Sequence, residues 1–198
     1  MNESYQEPPL SVGILAGGNS IRMGANKALL PYGDGTVIET ILKELGAFSE
    51  LLVSAAQKGV YESLGVPVCY DERSGIGPIE GIRMLLSNAK EEYVFVCAAD
   101  MPSIKKELVH YIARFICPDY DCYVLTDGQY MEPLCAVYSK RVLPAIEQTI
   151  ARGEYRIRVI FKTCPVKYIP LESSGFDKNV IRNINTRQDY LEAGGTGI

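Results

Sequence analysis

The sequence predicts an α/β fold, a three-layer α/β/α sandwich around a mostly parallel sheet. Short apolar, β-rich runs alternate with amphipathic helical stretches, the pattern of strands laid side by side with helices on both faces. At 198 residues and 47% hydrophobic content, the chain suits a single domain (1–198) with a sizeable core, its ends (1–8 and 193–198) expected to be flexible. No internal repeat or low-complexity segment interrupts the alternation.

LSVGIL (10–15) reads as a buried strand. TVIETILKELG (36–46) reads as a helix: Thr36 and Glu39 form a capping box, Val37, Ile41, Leu42 and Leu45 share one face, and Gly46 stops it. Strands follow at 51–55 and 66–70. IEGIRMLLSNA (79–89) is a helix entered through Gly77-Pro78, and YVFVCA (93–98) is the most strand-like run in the chain. A helix over 103–116 takes Ser103 as N-cap with Glu107 in an early turn. Strands at 122–126 and 134–138 precede a helix over 140–151. Residues 155–161 fit a short helix or a strand, 166–169 is β-like, and a last helix spans 186–191 before an AGGTGI tail expected to fray.

A formal charge of −4 argues against a general nucleic-acid binder, whose surface needs a basic excess. The first ten residues lack the basic and apolar regions of a signal peptide, and no run approaches a membrane span, so a cytoplasmic location is expected. The six cysteines form no CxxC pair and His110 is the only histidine, which leaves no zinc spacing. Cys69, Cys97 and Cys135 lie in apolar runs, as reduced buried thiols do.

Ligands of a parallel sheet bind beyond the carboxyl ends of its strands. The informative residues are therefore 16–27, 71–81 and 99–101. In LAGGNSIRMGANKALLP (15–31), Gly17, Gly18 and Gly24 let backbone amides approach phosphate oxygens, while Arg22 and Lys27 add positive charge. The stretch has neither the GKS/GKT end of a P-loop nor GxGxxG spacing, so it is a phosphate loop of another kind, or else a glycine-rich turn with two solvated cations. Asp100, in VCAADMP, ends a central strand, where a carboxylate is costly unless a cation meets it. Magnesium favours one or two carboxylates with phosphate oxygens; capping the turn before Pro102 is the plainer role.

Residues 15–31 resemble the signature loop of the glycosyltransferase-A-like nucleotidyltransferases, and more closely that of the molybdenum cofactor guanylyltransferases, the MobA family. Further similar segments follow in order: Asp71 with GPIEGI (77–82), CAADMP (97–102), EPLCAVY (132–138), the Gly153–Arg156 pair and NINT (183–186). The resemblance runs over nearly the whole chain. It implies a Rossmann-like nucleotide-diphospho-sugar transferase fold and transfer of GMP from GTP to molybdenum-bearing molybdopterin, with pyrophosphate released and Mg2+ (or Mn2+) as cofactor. It also implies transient contact with cofactor-synthesis proteins or molybdoenzymes, and no nucleic-acid or membrane partner.

The implied roles place Arg22 on the β- and γ-phosphates, Lys27 on the α-phosphate and Asp100 on the metal. Leu15, Ala16 and Gly17 face the guanine, within a nucleotide site that also takes Gly18, Ser20, Gly24 and Asp71. The acceptor side takes Gly77, Pro78, Gly81, Glu132, Pro133, Arg156, Asn183 and Asn185. Asp71 also reads as part of a polar turn, Arg156 as a solvated cation, and the asparagines as a lead-in to the Thr186 cap. The chain departs from the family pattern at Ser54, where an Asn is common, at Glu80, which replaces a small residue, and at Tyr155, where a second Arg is frequent. Glu80 is expected either to tune acceptor binding or to point to solvent. Transfer of CMP is one rival activity, disfavoured by Gly17 where cytidylyltransferases carry Ala. A non-catalytic nucleotide-binding protein is another, disfavoured by the intact Arg22, Lys27 and Asp100.

Overall fold

The computed structural model describes residues 8–17, 26–128 and 130–196. Gly18, Ser20, Arg22 and Gly24 of the predicted loop lie outside these. Strands β1 (Leu10–Leu15), β4 (Glu50–Ala55), β5 (Val68–Tyr70), β6 (Tyr93–Ala98), β7 (Cys122–Asp127), β8 (Tyr130–Ser139) and β9 (Val166–Pro170) form a 7-stranded sheet in the order β5-β4-β1-β6-β8-β7-β9. All run parallel except β8, which pairs antiparallel with β6 and β7. A small hairpin of β2 (Pro31–Tyr32) and β3 (Gly35–Thr36) stands apart. The mostly parallel sheet expected from the alternation is therefore present.

Helices α1 (Val37–Glu44), α3 (Lys106–Ala113) and α5 (Arg187–Glu192) cover one face, and α2 (Pro78–Asn88) and α4 (Leu143–Ala151) the other. Strand alternation divides the core. In β6, Phe95 and Cys97 join Ile38, Ile41, Leu108 and Ile112, while Val94 and Val96 join Ile79, Ile82, Leu85 and Ile146. The six cysteines are free, three of the four buried ones being those expected, with Cys122 the fourth.

Several boundaries differ from the sequence reading for identifiable reasons. The Thr36–Glu39 capping box is formed, but Ser103 does not cap α3. Met101 and Ile104 are drawn into the core by a tight turn, and the Lys106 amide is met instead by the Glu44 carboxylate of α1, at 3.2 Å. The expected 140–151 helix opens as a 3-10 turn over Lys140–Val142, and the ambiguous 155–161 segment is a 3-10 helix, Ile157–Lys162. Nor does the tail fray over 193–196: Gly195 bridges Tyr32, and the buried Tyr190 hydroxyl donates to the carbonyls of Pro31 and Thr196.

The expected strand at 134–138 begins earlier, at Tyr130. Val124 pairs with Ala136 but the next residue, Leu125, pairs with Glu132. Residues 133–135 are therefore extra on β8, a bulge that accommodates Pro133, which has no amide to give a ladder. The bulge re-aims Glu132 near the carboxyl ends of the neighbouring parallel strands.

Helix α2 approaches the sheet most closely at Gly81. A Cβ there would lie 2.7 Å from Leu15 Cδ2 and 2.8 Å from Ser54 Oγ. Gly81 is thus a packing residue, buried against β1 and β4, and not part of a wall facing an acceptor. Overpacking of this kind costs about 1–3 kcal/mol, offset in part by the roughly 1 kcal/mol that alanine gains over glycine inside a helix. Gly81→Ala is expected to lower the urea midpoint accordingly without changing the slope of the unfolding transition.

Candidate active site

The carboxyl ends of β5, β4, β1 and β6 present Asp71, Ala56, Ala16–Gly17 and Ala99–Asp100 along one edge of the sheet. Each is fixed by the strand next to it. The Asp71 amide donates to the Ala55 carbonyl at 3.0 Å, Ala16 to Ser54 at 2.8 Å and Ala99 to Leu15 at 2.9 Å. These bonds revise the expectation for the base. The Leu15 carbonyl and Ala16 amide are spent on the sheet, and the Ala16 carbonyl already accepts from the Tyr61 hydroxyl at 3.0 Å. Gly17 is the first residue beyond β1 whose amide and carbonyl have no hydrogen-bond partner among the described residues. A Cβ on Gly17 would stand 3.4 Å from the Ala56 amide nitrogen and 3.8 Å from Asp71 Oδ2, so Gly17 and Asp71 border one space.

Tyr61 was not visible as a site residue in the sequence. Its buried hydroxyl also accepts from Asn26 Nδ2 at 2.8 Å, and the Asn26 Oδ1 accepts from the Ala28 amide at 3.1 Å, opening the short 3-10 turn Lys27–Leu29. One phenol thus ties residue 16 to residue 26, the two sides of the phosphate loop. No motif marks it in KGVYESLG; only the fold brings it there.

The same turn aims Lys27 at Asp100. Lys27 Nζ lies 3.9 Å from Asp100 Oδ2 and donates to Asn185 Oδ1 at 3.3 Å. The Asp100 carbonyl accepts from the Ile184 amide at 2.8 Å, which carries the NINT segment to the end of β6. Lys27, Asp100, Asn183 and Asn185, spread over 158 positions between Lys27 and Asn185, are therefore gathered in one region. Asn183, Asn185 and Glu132 line a cleft of about 400 Å3 together with Asp127, Lys178 and Arg182. Both basic residues of the cleft are paired, Lys178 with Asp127 and Arg182 with Asp189 and Glu192.

The acids are held in an unusual state. Burial raises the Asp100 carboxyl above its ordinary range, against the pull of Lys27. Burial also raises Asp71, helped by the charge of Glu80 and opposed by Arg83. Glu132 is raised by burial and by Asp100, with the Leu134 amide and Arg158 opposing. Asp71 and Asp100 each keep a buried Oδ1 with no hydrogen-bond partner among the described residues. Such orphaned carboxylate oxygens are expensive, and a hard cation with bound phosphate is the chemistry that would satisfy them. Among the described residues no group of three or more metal-ligating side chains occurs, so any magnesium here would draw most of its ligands from phosphate and water.

Other expectations are revised. Arg156 is exposed and lies outside the cleft, whereas Arg158 donates to the Met131 carbonyl at 3.1 Å and acts on Glu132. Both arginines are exposed and neither lines the cleft; spacing alone does not show that Arg158 is the one that reaches Met131. Gly77 has φ of 78°, a conformation open to glycine, and Pro78 starts α2; both are exposed where the Asp71–Gly77 loop meets the helix. Glu80 does not point to solvent: it is fully buried against Arg83. Pro133 sits buried in the β8 bulge, its carbonyl accepting from Tyr138 at 2.7 Å.

The model of the MobA-like NTP transferase domain matches residues 12–168, which span β1 through β9 and hold Lys27, Asp71, Asp100 and Glu132. The chain belongs to the MobA-like NTP transferase family. It is 36% identical over 186 residues to a probable molybdenum cofactor guanylyltransferase of Carboxydothermus hydrogenoformans, covering 91% of this chain and 93% of that one. A protein of the same description from Aquifex aeolicus is 33% identical over 177 residues, covering 89% and 86%. Among solved structures, the molybdopterin-guanine dinucleotide biosynthesis protein A of Archaeoglobus fulgidus superposes with a TM-score of 0.82 at 27% identity, covering 93% of this chain and 96% of that one. The 2-C-methyl-D-erythritol 4-phosphate cytidylyltransferase of Thermus thermophilus shares the fold at a TM-score of 0.65, 17% identity and 92% and 96% coverage. The nucleotidyltransferase fold expected from the MobA-like loop is thus present.

The raised Asp100 carboxyl makes a prediction about the ligand-free MobA-like chain. Its folded value lies above the unfolded one, so the native state binds the proton more tightly, and stability falls as pH rises from the ordinary carboxylate range through the folded value. Asp100→Asn removes that ionisation. Its thermal midpoint is expected to exceed that of the unaltered chain at pH 8, and the gap should close near pH 4, as measured by calorimetry without metal or nucleotide.

Proposed function

We propose that this MobA-like nucleotidyltransferase transfers GMP from GTP to the terminal phosphate of molybdenum-bearing molybdopterin, forming the guanine dinucleotide cofactor and releasing pyrophosphate. The observation that carries the reading is the meeting of Lys27, Asp100 and Asn185 beside a cleft, with a buried Asp100 oxygen left for a ligand. The names of its relatives supply the substrates.

The attacking group is a phosphate monoester, already an anion at neutral pH. It needs no general base, in keeping with a site whose only histidine, His110, stacks on Phe48 away from it. One acceptor oxygen bonds to the α-phosphorus, and the bond to the bridging oxygen breaks, its electron pair leaving with pyrophosphate. The chain's task is to align these groups and neutralise their charge. Gly17 and Asp71 border the base and ribose, with the Gly17 amide and carbonyl free to read a purine edge. Lys27, braced by Asn185 and Asp100, meets the α-phosphate where charge accumulates. Arg22 carries the leaving phosphates. Asp100 would hold a magnesium ion, which neutralises phosphate charge when bound. The cleft between Glu132 and Asn183 receives the pterin. Six free thiols suit a reducing cytoplasm, and the acidic balance suits small anionic ligands with no nucleic-acid or membrane partner; product delivery calls for transient protein contact.

Calorimetric titration with GTP, CTP, ATP and UTP in magnesium tests the reading. Selective GTP binding is expected, and a preference for CTP would move the chain to cytidylyl transfer. Asp100→Ala should abolish turnover at every magnesium concentration. Lys27→Ala should lower kcat by roughly a hundredfold while changing GTP affinity far less, because its charge matters most in the transition state.

A further inference from the structure

Beside the nucleotide edge lies an ion cluster that the reaction described above does not use. Glu80, in the first turn of α2, is completely buried, and Arg83 is 7% exposed. Arg83 Nε donates to Glu80 Oε2 at 2.9 Å and its Nη2 to Glu80 Oε1 at 2.7 Å. Arg83 also reaches Glu72 at 2.6 Å and Glu147 at 3.3 Å, and Arg73 reaches Glu147 at 2.8 Å. The decisive contacts are with backbone. Glu80 Oε1 accepts from the amides of Glu72 at 3.1 Å and Arg73 at 3.2 Å, the two residues directly after Asp71.

Asp71 is thus gripped on both sides. Its own amide is held by Ala55 at the end of β4, and the next two amides are held by Glu80. Its side chain has no comparable anchor among the described residues, where Oδ1 is buried without a partner. A carboxylate not fixed through its own oxygens must be placed through its backbone. Burial works to raise the Glu80 carboxyl, yet Arg83 and the two amides outweigh it and keep Glu80 an acceptor, below its ordinary range.

We propose that Glu80 and Arg83 form a clamp that fixes residues 71–73 and so positions the Asp71 carboxylate against the bound nucleotide. The inference rests on the nucleotide site proposed above. Glu80 is a positioning residue: it acts through Asp71 and touches no substrate. The cluster also explains how a glutamate is tolerated where the resemblance led one to expect a small side chain.

Glu80→Ala alone strands a buried guanidinium and risks unfolding. The informative variant is Glu80→Ala/Arg83→Met, which removes both buried charges, takes the acceptor from the Glu72 and Arg73 amides and leaves Glu147 with Arg73 and Glu72 exposed. It should fold cooperatively with faster hydrogen exchange at the Glu72 and Arg73 amides. With magnesium, its GTP affinity should fall roughly tenfold, the loss of about one hydrogen bond to a charged group, while Glu80→Gln, which keeps the oxygen facing the amides, retains most of it. On an Asp71→Ala background the pair should cost nothing further. A folded double variant with unchanged GTP affinity, or an equal loss on both backgrounds, would overturn the clamp. If the unaltered chain fails to bind GTP, the guanylyl reading falls; amide exchange that is slow in the unaltered chain and fast in the double variant still supports the clamp on residues 71–73, and exchange the same in both overturns it.

Discussion

A parallel sheet brings its strand ends together, and here it brings acids together with them. Asp71, Asp100 and Glu132 sit at or beside that edge, each partly buried, and Oδ1 of both aspartates is without a hydrogen-bond partner among the described residues. Burying carboxylates this way works against folding, so the rest of the scaffold must hold them. The two apolar layers provide the anchorage: β1, β4 and β6 are sealed between α1 and α3 on one side and α2 on the other. The edge can carry unsatisfied charge because nothing beneath it yields.

The chain handles its two groups of acids differently. Around Glu80 the negative charge is fully met by Arg83 and by backbone amides, and the cluster behaves as structure. Among the described residues the cation paired with Asp100 is Lys27, at 3.9 Å, beyond hydrogen-bonding reach of the oxygen it faces, while it donates to Asn185 at 3.3 Å. An ion pair left this loose gives up little when a phosphate enters between its members. That is the arrangement expected of a site built to bind a polyphosphate with its metal rather than to satisfy itself.

Much of this was legible in the sequence. Alternating runs gave the layers, Thr36–Glu39 and Thr186 with Asp189 marked two helix starts, and the position of Asp100 after YVFVCA placed it at the edge. What stayed hidden depended on distance along the chain. Ser103 looked like a cap because the competing carboxylate, Glu44, belongs to another helix. Arg156 and Arg158 are both exposed, and only the fold shows that Arg158 is the one that meets the Met131 carbonyl. Tyr61 carries no local signal, since its role is to meet residues 45 positions before it and 35 before it. Glu80 was misplaced because a lone glutamate reads as surface until its arginine is seen to be buried with it.

Glu80 and Tyr61 share a logic that ties these parts together. Both lie outside the ligand space, and both act on backbone rather than on substrate. Tyr61 joins residue 16 to residue 26 across the phosphate loop, and Glu80 holds the segment after Asp71. At the Lys27–Asp100 edge a close internal salt bridge would compete with an entering anion, and the two groups are held 3.9 Å apart. The bonds that give the site shape are therefore moved one step back, into neutral phenol and amide contacts on one side and a closed ion cluster on the other.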